Sequence, residues 1–223
     1  MARFSRLEVY EAVLSSGLVP IFFNGNPELA QSIVTACLEG GTRVVEFTNR
    51  GEGALKVFSH LNDYLVSKKS PVVLGVGSIV DAPTAALFIA HGANFIVSPS
   101  FNIEVAKLCN RRKIPYMPGC GTVTEISTAE EAGVEIIKIF PGETIGGPAF
   151  IKAVKGPMPW TTIMPTGGVS ATAEDVSRWV KAGAACLGMG SNLIQKDCVA
   201  SGDFGTISKN VNNVLTWVQE ARK

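Results

Sequence analysis

Eight short apolar runs recur along this chain, one about every 20 to 30 residues, and a helical pattern follows each of them. The runs cover residues 18–23, 43–47, 72–76, 95–98, 115–117, 135–140, 161–165 and 185–189. They are continuous and do not alternate apolar with polar residues. Such runs fit parallel strands covered on both faces, because each crossover lays a helix against the sheet. The helix signals between them carry their own punctuation. Asn26-Pro27-Glu28 places an N-cap and a first-turn proline before a helix that stops at Gly40-Gly41. Asp81-Ala82-Pro83 opens another, which ends at His91-Gly92, and Ser170 and Thr172 open one that ends at Lys181-Ala182-Gly183. Residues 5–16 form an extra helix ahead of the first strand. Residues 207–222 form a closing one, with Ile207, Val211, Val214, Leu215 and Val218 on one face. The α/β pattern predicts a single (β/α)₈ TIM barrel domain over residues 1–223, with an extra N-terminal helix. An open doubly wound sheet is the alternative. The barrel is favoured because every one of eight positions has a strand, and no G-x-G-x-x-G follows the first of them.

Composition narrows what such a barrel does. Charged residues make up 17% of the chain and the net charge is +1, so nothing marks it for nucleic acid or an anionic membrane. Its apolar stretches fall short of a membrane span, and the N-terminus lacks the basic-then-apolar pattern of a secretory signal. The cysteines Cys37, Cys109, Cys120, Cys186 and Cys198 are odd in number and form no C-x-x-C pair, which predicts free thiols in a reducing cytoplasm. His60 and His91 lie far apart and begin no metal-ligand motif. Neither a metal nor a cofactor is expected.

In a barrel the site is built at the carboxyl ends of the strands. Lys138 sits inside the sixth apolar run, Val134-Glu135-Ile136-Ile137-Lys138-Ile139-Phe140. Burial disfavours an ammonium and lowers its pKa, and a neutral amine is what a Schiff-base nucleophile requires. Taken alone, Lys138 is equally well a strand-end lysine with its head group in solvent. Alternation puts Glu46, Thr48 and Arg50 on one side of the second strand. A carboxylate there can move protons and an arginine can hold a carboxylate, but a structural ion pair reads as well. Thr166-Gly167-Gly168 and Gly190-Ser191 end the last two strands, where barrels often bind phosphate through backbone N–H groups. Either turn alone reads more readily as a tight turn, but two at adjacent strand ends favour an anion site.

Together these segments resemble a known family. Glu46-x-Thr48-x-Arg50, Gly75-x-Gly77-Ser78, Lys138-x-Phe140-Pro141-x-Glu143 and Pro165-Thr166-Gly167-Gly168-x-Ser170 look like the signature series of the KDPG/KHG aldolases. These are class I enzymes that cleave 2-keto-3-deoxy-6-phosphogluconate or 4-hydroxy-2-oxoglutarate on a (β/α)₈ barrel. The resemblance implies that Lys138 forms the imine with pyruvate and that Glu46 is the general acid/base. It implies that Arg50 and Ser78 bind the pyruvyl carboxylate, that Pro99 and Phe140 line the pocket, and that Thr48 and Thr166 belong to the substrate site. Gly167, Gly168, Gly190 and Ser191 would hold the phosphate, with backbone and hydroxyl donors, since neither turn contains a lysine or arginine. It also implies a small-molecule substrate and a homo-oligomer, a trimer. The chain departs from the family at Ser78, usually Thr; at Gly142, commonly Ala; at Met189 and Asn192, usually Gly and Trp; and in the aromatic Phe22-Phe23. The rival readings are a phosphate-binding isomerase or decarboxylase, in which Lys138 acts only as a charge, and a catalytically silent sugar-phosphate binder.

Overall fold

In the computed structural model, which describes residues 2–223, all eight apolar runs become strands of one parallel sheet. The strands are β1 (Leu18–Phe22), β2 (Val44–Thr48), β3 (Val73–Gly77), β4 (Ile96–Ser98), β5 (Tyr116–Cys120), β6 (Ile137–Ile139), β7 (Ile163–Pro165) and β8 (Leu187–Met189). Their order is β7-β6-β5-β4-β3-β2-β1-β8. The ring closes between β7 and β8, where Ile163 bridges Ala184, Thr166 bridges Gly188, and the Ala185 N–H donates to the Ile163 carbonyl at 2.9 Å. The result is a (β/α)₈ barrel.

Around it run α1 (Arg6–Ser16), α2 (Pro27–Glu39), α3 (Ala54–Ser67), α4 (Ala82–Ala90), α5 (Ile103–Arg112), α6 (Val123–Glu131), α7 (Gly147–Lys155), α8 (Ala173–Lys181), α9 (Lys196–Ser201) and α10 (Phe204–Ala221). Asn26 and Asp81 cap α2 and α4 as their sequences predict. Thr172 caps α8; Ser170 stands outside it, its N–H donating to Asp175 Oδ2 at 2.7 Å. On α10, Ile207, Val211, Val214 and Val218 are buried, whereas Leu215 turns to the helix flank and is half-buried. Strand β6 is shorter than its apolar run because Ile136 precedes the pairing and the chain turns at Phe140.

Side chains on each strand alternate between two cores. The outward positions pack under the helices. The inward positions Val19, Val44, Val73, Val97, Met117, Ile136, Met164 and Cys186 fill the lower half of the barrel with Phe95. The extra helix α1 closes that end, with Val9, Tyr10, Ala12 and Val13 joining the same cluster. A Ser5–Glu8 capping box starts α1, and Gly17 ends it at φ 71°, a left-handed conformation that suits glycine.

Candidate active site

Two residues above most of these inward apolar positions the character of the barrel interior changes, although Val19 is followed by the apolar Ile21. Val44 is followed on the inner face by Glu46 and Thr48, Val73 by Gly75 and Gly77, Ile136 by Lys138 and Phe140, Met164 by Thr166, and Cys186 by Gly188. The upper interior is therefore polar where a function needs it and empty where side chains would collide. A Cβ on Gly77 would overlap the Glu46 carboxylate, one on Gly75 the Phe95 ring, and one on Gly188 the Thr166 hydroxyl. These glycines are the space into which Glu46, Thr166 and the Phe95 ring fit.

Lys138 is 6% exposed and Glu46 1% exposed. Burial lowers the Lys138 pKa from its ordinary 10.5; the nearby Glu46 charge pulls it back up and Arg50 pushes it down. Burial likewise raises the Glu46 pKa, against the opposing pull of Lys138 and Arg50. Among the described residues no ion pair joins the two, and Glu46 Oε2 has no hydrogen-bond partner. The Lys138 ammonium nitrogen lies 4.9 Å from the centre of the Phe140 ring. A lysine and a carboxylate held in a buried interior without mutual pairing are free to exchange protons with a third molecule.

Arg50, exposed at the end of β2, donates from Nε to Ser78 Oγ at 3.2 Å. Ser78 holds a left-handed backbone at φ 61° to reach it. Thr48 is buried and donates to the Phe22 carbonyl at 3.3 Å, so its hydroxyl ties β2 to β1. Pro99 is half-buried after β4, its carbonyl packed against Gly119.

Above this layer opens a cavity of about 700 Å³. Thr48, Arg50, Phe140 and Thr166 line it, as do all four glycine-turn residues, Gly167, Gly168, Gly190 and Ser191. Lys138, Glu46, Ser78 and Pro99 are not part of the lining. Gly167 and Gly168 adopt φ 89° and 85°, and among the described residues the N–H groups of Gly168, Val169 and Ser191 donate to no protein acceptor. Neither turn runs straight into a helix: α8 starts at Ala173 and α9 at Lys196. The turns are held from behind. Gly142 and Glu143 N–H groups donate to the Thr166 and Gly167 carbonyls at 2.8 and 3.0 Å, and Asn192 Nδ2 donates to the Val169 carbonyl at 3.0 Å.

The lining also includes residues outside the expected site set, among them Phe23 and Asn24 after β1 and Lys196 at the start of α9. The aromatic end of the first strand is visible in the sequence, whereas α9 has only six residues and too little periodicity to read. Among the described residues no group of three His, Cys, Asp or Glu side chains gathers as a metal site, and no helix is long and apolar enough to cross a membrane. All five cysteines are free and buried.

Comparison with known proteins gives a consistent picture. Residues 9–210 match the family described as KDPG and KHG aldolase. The 2-dehydro-3-deoxy-phosphogluconate aldolase of Treponema pallidum is 29% identical over 91% of this chain and 93% of its own. The KHG/KDPG aldolase of Escherichia coli K12 is 30% identical over 89% of this chain and 91% of its own. A crystal structure of KDPG aldolase from Legionella pneumophila, with pyruvate captured as a covalent carbinolamine intermediate, superposes with a TM-score of 0.83 at 25% identity. It covers 91% of this chain and 96% of that one.

Proposed function

The chain belongs to the KDPG and KHG aldolase family, and from that premise we infer that it is a class I aldolase. It cleaves 2-keto-3-deoxy-6-phosphogluconate, or a related 2-keto-3-deoxy or 4-hydroxy-2-oxo acid, to pyruvate and an aldehyde. With the phosphorylated sugar acid the aldehyde is glyceraldehyde 3-phosphate. The observation that carries the residue assignment is the unpaired, mutually influencing Lys138 and Glu46 buried in the upper half of the barrel.

The chemistry follows from their environments. Lys138, its proton loosened by burial, attacks C2 of the keto acid as the neutral amine. Loss of water from the carbinolamine leaves a protonated imine, which draws electrons from the C3–C4 bond. Glu46 takes the proton of the C4 hydroxyl, the bond breaks, and the aldehyde departs from an enamine. Glu46 then returns the proton to C3, water adds to the imine, and pyruvate leaves with Lys138 restored. A carboxyl whose pKa is raised by burial suits both halves of that shuttle. Arg50, steadied by Ser78, faces the pyruvyl carboxylate, with Thr48, Pro99, Phe140 and Thr166 shaping the walls. The free N–H groups around Gly167, Gly168, Gly190 and Ser191 receive the phosphate.

Residues 1–223 act as one barrel domain in this reading. The free buried cysteines support a reducing cytoplasm. A homo-oligomer, a trimer by family resemblance, is supported by the exposed apolar Val80, Ile103 and Val123, which follow the adjacent strands β3, β4 and β5.

Borohydride reduction in the presence of pyruvate tests the assignment. One reduced pyruvyl group is expected on the peptide containing Lys138, and none on the Lys138→Met variant. An adduct on another lysine, or none in protein that releases pyruvate, would refute it.

A further inference from the structure

Among the described residues the cavity lining contains two cations and no acidic residue: Arg50 just after β2, and Lys196 at the start of α9, after β8. Arg50 is engaged with Ser78, next to Glu46 and Lys138. Lys196 is exposed and, among the described residues, makes no hydrogen bond or ion pair. It is nevertheless carried on a fixed loop. Leu193 and Ile194 are buried, and their N–H groups both donate to the Gly190 carbonyl, at 2.9 and 3.0 Å. The Asn192 bond to Val169 ties that loop to the neighbouring glycine turn. The two glycine turns and the root of Lys196 therefore form one unit, while the four-carbon stem lets the ammonium swing over it. A phosphate near neutral pH carries between one and two negative charges, and the uncharged turns answer it only with dipoles. The sequence of the turns predicts an anion site without a cation; the fold brings one in from outside them.

We propose that Lys196 supplies the charged contact to the distal phosphate of the substrate and sets a preference for phosphorylated over neutral-ended 2-keto-3-deoxy acids. This rests on the aldolase reading, and it adds a binding residue to the site. The carboxylate end of the substrate meets Arg50, the phosphate end meets Lys196, and the reacting carbons lie between.

The test compares wild type, Lys196→Gln and Lys196→Arg with 2-keto-3-deoxy-6-phosphogluconate and with unphosphorylated 2-keto-3-deoxygluconate. Calorimetric titration with glycerol 3-phosphate, which cannot react, is run beside it. Lys196→Gln is expected to raise KM for the phosphorylated acid and Kd for glycerol 3-phosphate about tenfold, just under the range for losing one hydrogen bond to a charged group, as suits an exposed side chain. Values for the unphosphorylated acid and kcat should stay put, and Lys196→Arg should recover most of the loss. Added salt should weaken glycerol 3-phosphate binding more in wild type than in Lys196→Gln, because a screened attraction is what the variant lacks. Equal glycerol 3-phosphate affinity in wild type and Lys196→Gln, or equal loss on both keto acids, would overturn the proposal. Failure of the aldolase reading would look different: no pyruvate from either acid and no borohydride adduct, with the titration still deciding the role of Lys196.

Discussion

Gly77 offers the sharpest test of how the barrel holds its proton shuttle. Its φ lies outside the left-handed region, so alanine fits the backbone and only the added methyl matters. That methyl would overlap the Glu46 carboxylate and stand 2.6 Å from its Cδ and 3.1 Å from its Cγ. Carbon atoms rest at about 3.5 Å or more, so the carboxyl must retreat by roughly 1 Å. The Glu46 side chain has no slack on its own account, being 1% exposed. Crowding of this kind costs about 1–3 kcal/mol of stability. A misplacement of about 1 Å in a reacting geometry costs on the order of 10²-fold in rate. Gly77→Ala is therefore expected to fold, to form the pyruvate imine at Lys138, and to lose about 10²-fold in kcat for cleavage. The assays are pyruvate release, borohydride trapping read by mass spectrometry, and a urea midpoint to confirm folding. Because Gly77 acts through Glu46, adding Gly77→Ala to Glu46→Gln should cost little more than Glu46→Gln alone. A folded Gly77→Ala with near-wild-type turnover would refute the reasoning, as would full additivity in the double variant.

Four further outcomes follow from the same geometry. Glu46→Gln should keep imine trapping and lose roughly 10²–10⁴-fold in turnover, the range for a general acid/base; near-normal pyruvate release would leave Glu46 a structural group. The rate of trapping should rise with pH as Lys138 sheds its proton. Since the Glu46 charge raises the Lys138 pKa and Arg50 lowers it, the midpoint should fall in Glu46→Gln and climb in Arg50→Gln; unmoved or reversed midpoints in a trapping titration would contradict the coupling. Gly190→Val should raise KM for the phosphorylated acid more than for the unphosphorylated one, because a Cβ there meets only the Ile21 carbonyl at 3.7 Å and projects into the cavity; equal effects in steady-state kinetics would mean that the turn shapes the barrel only. A strong chelator should leave turnover unchanged, because the protonated imine is itself the electron sink; inactivation reversed by zinc would speak against Schiff-base cleavage.

The chain declares its barrel openly because each strand is short, apolar and bounded by turn residues. All eight runs pair in the expected order, and their boundaries differ by a few residues. Lys138, Glu46 and Arg50 are legible because charged residues inside or just after apolar strands demand a reason. What could not be read is complementarity between neighbouring strands on the inner face. Gly77 and Glu46 are 31 residues apart, and the pairing of β2 with β3, Glu46 opposite Gly75 and Thr48 opposite Gly77, sets one beside the other. Lys196 escaped for a related reason. The chain after Ser191 folds back on buried Leu193 and Ile194, so a residue five positions past the turn returns to its rim. A Cβ at Gly168 would meet Glu143 at a distance too short for any side chain. That glycine answers to the loop after β6, a constraint not visible from its own turn.

The apolar lower half of the barrel, stoppered by α1, leaves the site open at its upper end among the described residues. Substrate, water and both products are expected to share that doorway. On the proposed mechanism an aldehyde lying above the imine stands between it and the opening, so hydrolysis is expected to follow its exit. The expected order is then the long fragment first, water second and pyruvate last. A helix with no side chain in the chemistry sets that sequence by closing the back door.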